Sequence, residues 1–280
     1  MPYAAEISRT NPTCFLFLVD QSGSMNEPMA GGTKPKAQAL ADAINRLLQN
    51  FVLRCAKADG VRDYFHVGLI GYSSKVASAW GGNLAGQTLI PISALANQPL
   101  RVEQRTRKVD DGAGGVLDQA FKFPVWYEPQ IGGKTFMSQA LATARQYLEA
   151  FIGRFPACYP PLVLNITDGM PSDGDPRPAA RELTALATQD GAALLFNAHL
   201  SSQAAPIIEF PAQEQGLPDK CARLLFQMSS PLPPPLLAAA GHDGFKVGPG
   251  SRGFVFNADM VSVVRFLDLG TQTAQAGGKA

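Results

Sequence analysis

The sequence predicts an α/β protein, with a doubly wound, mostly parallel sheet and helices on both faces. Three observations predict it. First, CFLFLV at 14–19, PLVLNIT at 161–167 and GAALLFNAHL at 191–200 are strongly apolar runs, as strands buried on both faces are. Second, stretches with apolar residues at helical spacing lie between them, and strand–helix alternation implies crossover units with parallel pairing. Third, two of the runs end in an aspartate, Asp20 and Asp168, where a buried strand meets a loop.

After the first run, residues 35–56 place Leu40, Ile44, Leu47, Leu48 and Phe51 on one helical face, with Pro35 suited to the first turn. YFHVGLIGYSS at 64–74 reads as a second strand. Residues 76–92 carry a weaker strand signal broken by Gly81, Gly82 and Gly86, which suggests an edge hairpin. From about 93 to 131 the periodicity fails: RVEQRTRKVDDGAGG is charged and Gly-rich, FKFPVWYEP aromatic and Pro-bounded. A loop of this length inside a domain is usually functional or mobile. Residues 135–152 recover helical order through Met137, Leu141, Ala144, Leu148 and Phe151, and Thr135 stands where that helix begins. After PLVLNIT come the turn-rich GMPSDGDPRP, a helix at 177–189 and the strand at 191–200. The Pro- and Gly-rich region 201–250 holds two short helical stretches, near 218–228 and 234–240. RGFVFNA is a last strand and 258–268 a last helix. The expected organisation is a tail at 1–12, one domain at 13–270 with insertions at about 93–131 and 201–250, and a disordered tail at 271–280.

Composition narrows the function. The 280 residues carry 46% hydrophobic and 17% charged side chains and a net charge of +1. Nothing favours nucleic acid, whose binding depends on neutralising phosphates. No run is apolar for long enough to span a membrane, and the N-terminal segment lacks the pattern of a signal peptide. Cys14, Cys55, Cys158 and Cys221 form no C-x-x-C pair and read as reduced thiols, which places the chain in the cytoplasm.

The chemistry-bearing residues are oxygen donors. Asp20, Ser22 and Ser24 lie in FLFLVDQSGSM, Thr135 in GGKT and Asp168 in LVLNITDG. In an open parallel sheet, loops at the carboxyl ends of strands meet in one crevice, so these five can form one metal site. All are hard donors, which suit Mg2+ or Mn2+. D-x-S-x-S, then Thr, then T-D-G resembles the metal-ion-dependent adhesion site of von Willebrand factor A domains, with all five positions filled over roughly residues 13–200. The resemblance implies a Rossmann-like fold in which Ser22, Ser24 and Thr135 bind the ion directly, and Asp20 and Asp168 partly through water. It also implies an open position that a partner protein's carboxylate fills. The chain is most similar to cytoplasmic bacterial family members of the tellurite-resistance type, which implies a stress-response setting with a protein kinase and a protein phosphatase.

GGKT is no phosphate loop, because Glu128 stands where the Walker pattern needs glycine. Ser22 replaces the second carboxylate of a D-x-D phosphatase, and His66 and His199 lie inside strand patterns. Asp173 and Asp175 read as turn formers. Phe123, Trp126 and Tyr127 read either as cover for a satellite core or as an aromatic contact patch for the partner. The expected function is therefore metal-dependent protein recognition without catalysis. A metal-dependent phosphohydrolase and a subunit of an AAA+ chelatase or remodelling complex remain as alternatives.

Overall fold

The first apolar run lies in the middle of the sheet. In this computed structural model, which describes residues 2–29, 32–110, 115–202, 206–258, 262, 265 and 266, β1 (Thr13–Asp20) is buried at every position. Along the chain follow α1 (Lys36–Cys55), β2 (Phe65–Tyr72), β3 (Val76–Ser78), β4 (Leu89–Pro91), α2 (Ile92–Asn97), β5 (Arg101–Asp110) and β6 (Val116–Val125). Then come α3 (Met137–Arg154), β7 (Leu162–Thr167), α4 (Arg177–Thr184), β8 (Leu194–Leu200), β9 (Ile208–Glu209), α5 (Lys220–Met228), α6 (Pro234–His242) and β10 (Phe254–Ala258).

The sheet runs in the order β9-β10-β8-β7-β1-β2, with β3 and β4 both on the outer edge of β2. Strands β10, β8, β7, β1 and β2 are mutually parallel, while β9, β3 and β4 are antiparallel edges. Alternate residues of β1 serve opposite faces. Phe15, Phe17 and Val19 pack with Leu40, Ile44, Leu48 and Phe51 of α1, and α2 and α6 join that layer through Leu95 and Leu236. Cys14, Leu16 and Leu18 pack with Met137, Leu141 and Leu148 of α3, beside Leu183 of α4 and Leu225 of α5. The fold class read from the sequence is the one observed.

A buried polar ladder crosses the second face. Tyr72 Oη donates to Asn165 Oδ1 (2.8 Å), Asn165 Nδ2 to Asn197 Oδ1 (2.9 Å), and Asn197 Nδ2 to Ser229 Oγ (2.9 Å). Every amide in it is paired, as buried polar groups must be. Gly253 precedes β10 because the Phe196 ring lies where a side chain would start: a Cβ there would sit 2.0 Å from it.

Three expectations about the elements change, and two gain detail. The segment 76–92 is no hairpin, since β3 pairs with Ile70–Tyr72 and β4 with His66–Gly68. The free edge of β2 is long enough for both, and pairing there satisfies its backbone groups. The segment 93–131 is not irregular: it contains α2 and a β5–β6 hairpin of ten cross-strand pairs, from Arg101↔Val125 to Asp110↔Val116, joined to no other sheet. Its alternation is hidden because arginines do the covering. Arg105 lies 3.7 Å from the centroid of the Phe123 ring and Arg107 5.7 Å from that of Phe121. The helix expected at 177–189 stops at Thr184, and Ala187–Thr188 pairs back with Gly191–Ala192. Residues 201–250 supply an edge strand, β9, as well as α5 and α6. The N-terminal tail is tied to the domain: the Ala4 and Ala5 amides donate to the Asp190 carboxylate and Ile7 is buried. Of the expected helix at 258–268, Ala258 instead ends β10, residues 262, 265 and 266 are helical, and the others lie outside the described residues, as does the tail 271–280. All four cysteines are free thiols. Among the described residues no helix is long and apolar enough to cross a membrane.

Candidate metal centre

Strands β1 and β7 are parallel neighbours in which Val19 is level with Ile166, so Asp20 and the Thr167–Asp168 pair leave the sheet side by side. Past Asp20 the chain turns sharply. The Ser22 amide donates to Asp20 Oδ1 at 2.8 Å, a local side-chain turn that aspartate favours, and a 3-10 turn over Gly23–Asn26 lifts Ser24 beside Ser22. The Ser22 and Ser24 hydroxyl oxygens are 3.1 Å apart, and Ser24 Oγ donates to Asp168 Oδ1 at 2.7 Å. The second Asp20 oxygen accepts the Thr167 hydroxyl at 2.6 Å. Four of the five residues singled out in the sequence thus form one connected cluster.

Thr135 reaches the cluster through its loop. The Gly132 amide donates to Gln21 O (2.8 Å) and the Gly23 amide to Gly133 O (3.3 Å), so this loop lies against the Ser22 turn. Gly133 has φ +85° and a Cβ would meet Ser74 Oγ at 2.6 Å, so both backbone and space require glycine. Thr135 is buried, and its backbone exchanges hydrogen bonds with Ser172: Thr135 N to Ser172 Oγ (2.8 Å), Ser172 N to Thr135 O (2.9 Å). It is not the cap of α3, as its position suggested. The helix starts at Met137, and Asp173 takes the cap role from a distance by accepting the Ser138 and Gln139 amides (3.2 and 2.9 Å).

The donors fit a small hard cation. Oxygens bound at about 2.1 Å in an octahedron lie about 3 Å from one another. The 3.1 Å and 2.7 Å separations along Ser22, Ser24 and Asp168 match such edges. Among the described residues no three Asp, Glu, His or Cys side chains converge as ligands, so the set is two carboxylates plus hydroxyls. Asp20 is 1% exposed, and burial pushes its carboxyl above the ordinary value; bonds from Thr167 and Ser22 pull it down, and the Asp168 charge pushes it up again. A bound cation would offset that cost.

Sequence reading missed Lys36. Its side chain is 3% exposed and its ammonium lies 2.6 Å from Asp168 Oδ2. The signal was present, because Lys36 continues the buried stripe of Leu40 and Ile44 at the same four-residue spacing. Thr167 and Ser172 carried no comparable signal, since a hydroxyl at a strand end or in a turn is ordinary.

The aromatic patch is corrected. Phe123, Trp126 and Tyr127 are all buried and offer no face to a partner. Asn45 of α1 draws them in: its Oδ1 accepts the Trp126 and Tyr127 amides (2.8 and 3.0 Å), and its Nδ2 donates to Tyr127 O (2.8 Å). The Trp126 indole donates to Leu95 O at 2.7 Å. His66 and His199 are packing residues: His199 stacks on Phe256 with centroids 4.7 Å apart, and His66 lies against Phe151 and Phe155.

No family model matches the chain, and no curated protein does. Among solved structures it is similar to a von Willebrand factor type A protein from Catenulispora acidiphila, at 13% identity and a TM-score of 0.47, covering 96% of this chain and 44% of that one. It is also similar to the vWF domain of the type V pili tip protein Mfa5 from Porphyromonas gingivalis (12% identity, TM-score 0.33, 57% of this chain, 39% of that). A third is the PilB minor pilin from Streptococcus sanguinis (13% identity, TM-score 0.34, 57% of this chain, 31% of that). The chain spans less than half the length of each. At such scores the likeness carries no argument about function.

Proposed function

We propose that this chain is a divalent-metal-dependent protein-interaction module of the von Willebrand factor A type, binding an Asp or Glu of a partner protein through the ion. The observation that supports it is the convergence of Asp20, Ser22, Ser24 and Asp168 at the carboxyl ends of two adjacent central strands. The bound ion, Mg2+ or Mn2+, supplies an electrophile for the partner's carboxylate. The chain's own residues do the rest: the hydroxyls of Ser22, Ser24 and Thr135 hold it without cancelling its charge, Asp20 and Asp168 supply the anionic half of the cage, and Thr167 orients Asp20. Hydroxyl ligands leave the ion more charge than a cage of carboxylates would, and that residual charge attracts an outside anion.

The resemblance extends the proposal to a cytoplasmic bacterial stress-response system of the tellurite-resistance type, with a kinase and a phosphatase among the partners. Binding proceeds without turnover. Phosphoester hydrolysis lost in Asp20→Ala would instead favour a metal-dependent phosphohydrolase, and co-purification with an ATPase would favour a chelatase-type subunit. The deciding experiment is affinity capture in Mg2+ and in EDTA, with Thr135→Ala alongside. Capture should need the metal and weaken in Thr135→Ala. Capture undiminished by EDTA overturns the proposal.

A further inference from the structure

The first residue of α1 is a lysine, and its side chain is 3% exposed. A buried ammonium is costly unless paired. Its Nζ lies 2.6 Å from Asp168 Oδ2, and donates to Ser202 Oγ at 2.9 Å and to Glu27 Oε2 at 3.3 Å. Ser202 Oγ donates in turn to the same Glu27 oxygen at 2.8 Å. Asp168 is therefore shared: one oxygen takes the Ser24 hydroxyl and the other an ammonium, with no hydrogen bond besides that ion pair among the described residues.

We infer that Lys36 sets the charge of the ion site, loosening its hold on the cation and making the bound cation depend on an outside carboxylate. This rests on the reading of the cluster as an ion site. Asp20 and Asp168 supply two negative charges and Lys36 returns one. A divalent ion added to the trio leaves one net positive charge; added to the two carboxylates alone it leaves none. The Glu27 side chain is 60% exposed, so water and salt weaken its hold on the ammonium without abolishing it, and most of the Lys36 charge is left facing Asp168. In a buried site an unbalanced charge acts strongly, so the preferred occupant of the open position is an anion and not a neutral carbonyl. The ligand is thus narrowed to the carboxylate of an acidic side chain or peptide end. Lys36 acts through Asp168 and is a positioning residue. A merely structural Lys36, one that only holds Asp168 in place, predicts the opposite sign, since its loss would weaken the ion.

The test is calorimetric titration of the full chain with Mn2+, with and without acetate, in wild type, Lys36→Met, Lys36→Arg and Glu27→Gln, with melting in EDTA to establish folding. Lys36→Met should bind Mn2+ roughly tenfold more tightly, as loss of a neighbouring charge requires. Acetate should tighten Mn2+ binding in wild type and Lys36→Arg, and cease to do so in Lys36→Met, because coupling between two ligands is reciprocal. Where wild type binds Mn2+, an affinity in Lys36→Met that is unchanged or weaker overturns the inference and leaves the ion site standing, as does an undiminished acetate effect. Absence of Mn2+ binding in both proteins overturns the ion site itself, and the inference with it. Should Lys36→Met fail to fold, Glu27→Gln decides. Removing that exposed neighbour leaves the ammonium less neutralised, so Mn2+ should bind more weakly and acetate should help more; no change in either overturns the inference.

Discussion

Asp20 must hold a charge where burial penalises it. Its folded pKa is raised, so the ionised form costs stability as pH climbs past the unfolded value of about 3.9, and a cation reverses that cost. Asp20→Asn should therefore melt at or above wild type in EDTA at neutral pH, and should lose the rise in melting temperature that Mg2+ gives wild type by mass action. A Mg2+ shift that survives in both Asp20→Asn and Asp168→Ala would remove the ion from the account. His199 carries the opposite sign of pH dependence. Burial lowers its pKa, so the neutral ring is the folded form, and stability present above pH 6.5 is lost as the pH falls below it. His199→Phe keeps the stack on Phe256 and removes the titration, so its melting temperature should fall less between pH 7.5 and 5.5 than that of wild type. An equal fall in both proteins would assign the acid sensitivity elsewhere, with His66 next in line because burial lowers its pKa too.

The β5–β6 hairpin divides into a root and a blade. At the root, Phe123, Val125, Trp126 and Tyr127 are buried; at the outer end, Val116 and Leu117 are exposed. Trp126→Ala should cost about 3–5 kcal/mol of unfolding free energy in urea, the usual range for emptying a large aromatic site, and it also removes the indole bond to Leu95 O, leaving that carbonyl only the Gln98 amide. Val116→Ser and Leu117→Ser should stay within about 0.5 kcal/mol of wild type, as surface changes do. The reverse ranking would mean the hairpin is not docked as described. This element also shows where sequence reading stops. The strands β1, β7 and β8 were legible because burial on both faces leaves only apolar choices. In β5 and β6, charged side chains on aromatic rings erase the alternation, and the clamp that decides the fate of Trp126 comes from Asn45, distant in the chain. The hydrogen-bonded cluster of Asp20, Ser22, Ser24 and Asp168 was legible because its members alternate along one tight turn or follow the end of a strand. Lys36 escaped because a lysine at a helix start is read as solvated unless its place on the buried stripe is weighed against its charge.

At the scale of the whole molecule, five parallel strands bring loops far apart in the chain to one end of one sheet, and that arrangement followed from the alternation of runs alone. The order of the edge strands did not, because β3, β4 and β9 are too short to show a period and are placed by whichever strand edge is free. A parallel sheet made of interchangeable apolar strands carries its own hazard, for Leu, Val and Ile fit nearly as well one position out. The ladder of Tyr72, Asn165, Asn197 and Ser229 removes that tolerance. Its amides meet only in the pairing that sets Asn165 level with Asn197. A slip of one residue between β7 and β8 turns one of the two asparagines to the other face and breaks the amide pair, leaving buried groups of both without partners at about 1–3 kcal/mol each. Asn165→Leu should therefore lower the urea midpoint by orphaning Tyr72 and Asn197, whereas the pair Asn165→Leu with Tyr72→Phe should recover part of it. Refolding should show the deeper effect. Wild type should reach one native form, while the single variant should populate slower, misaligned species, because the ladder gives the chain a way to reject a misaligned sheet during folding.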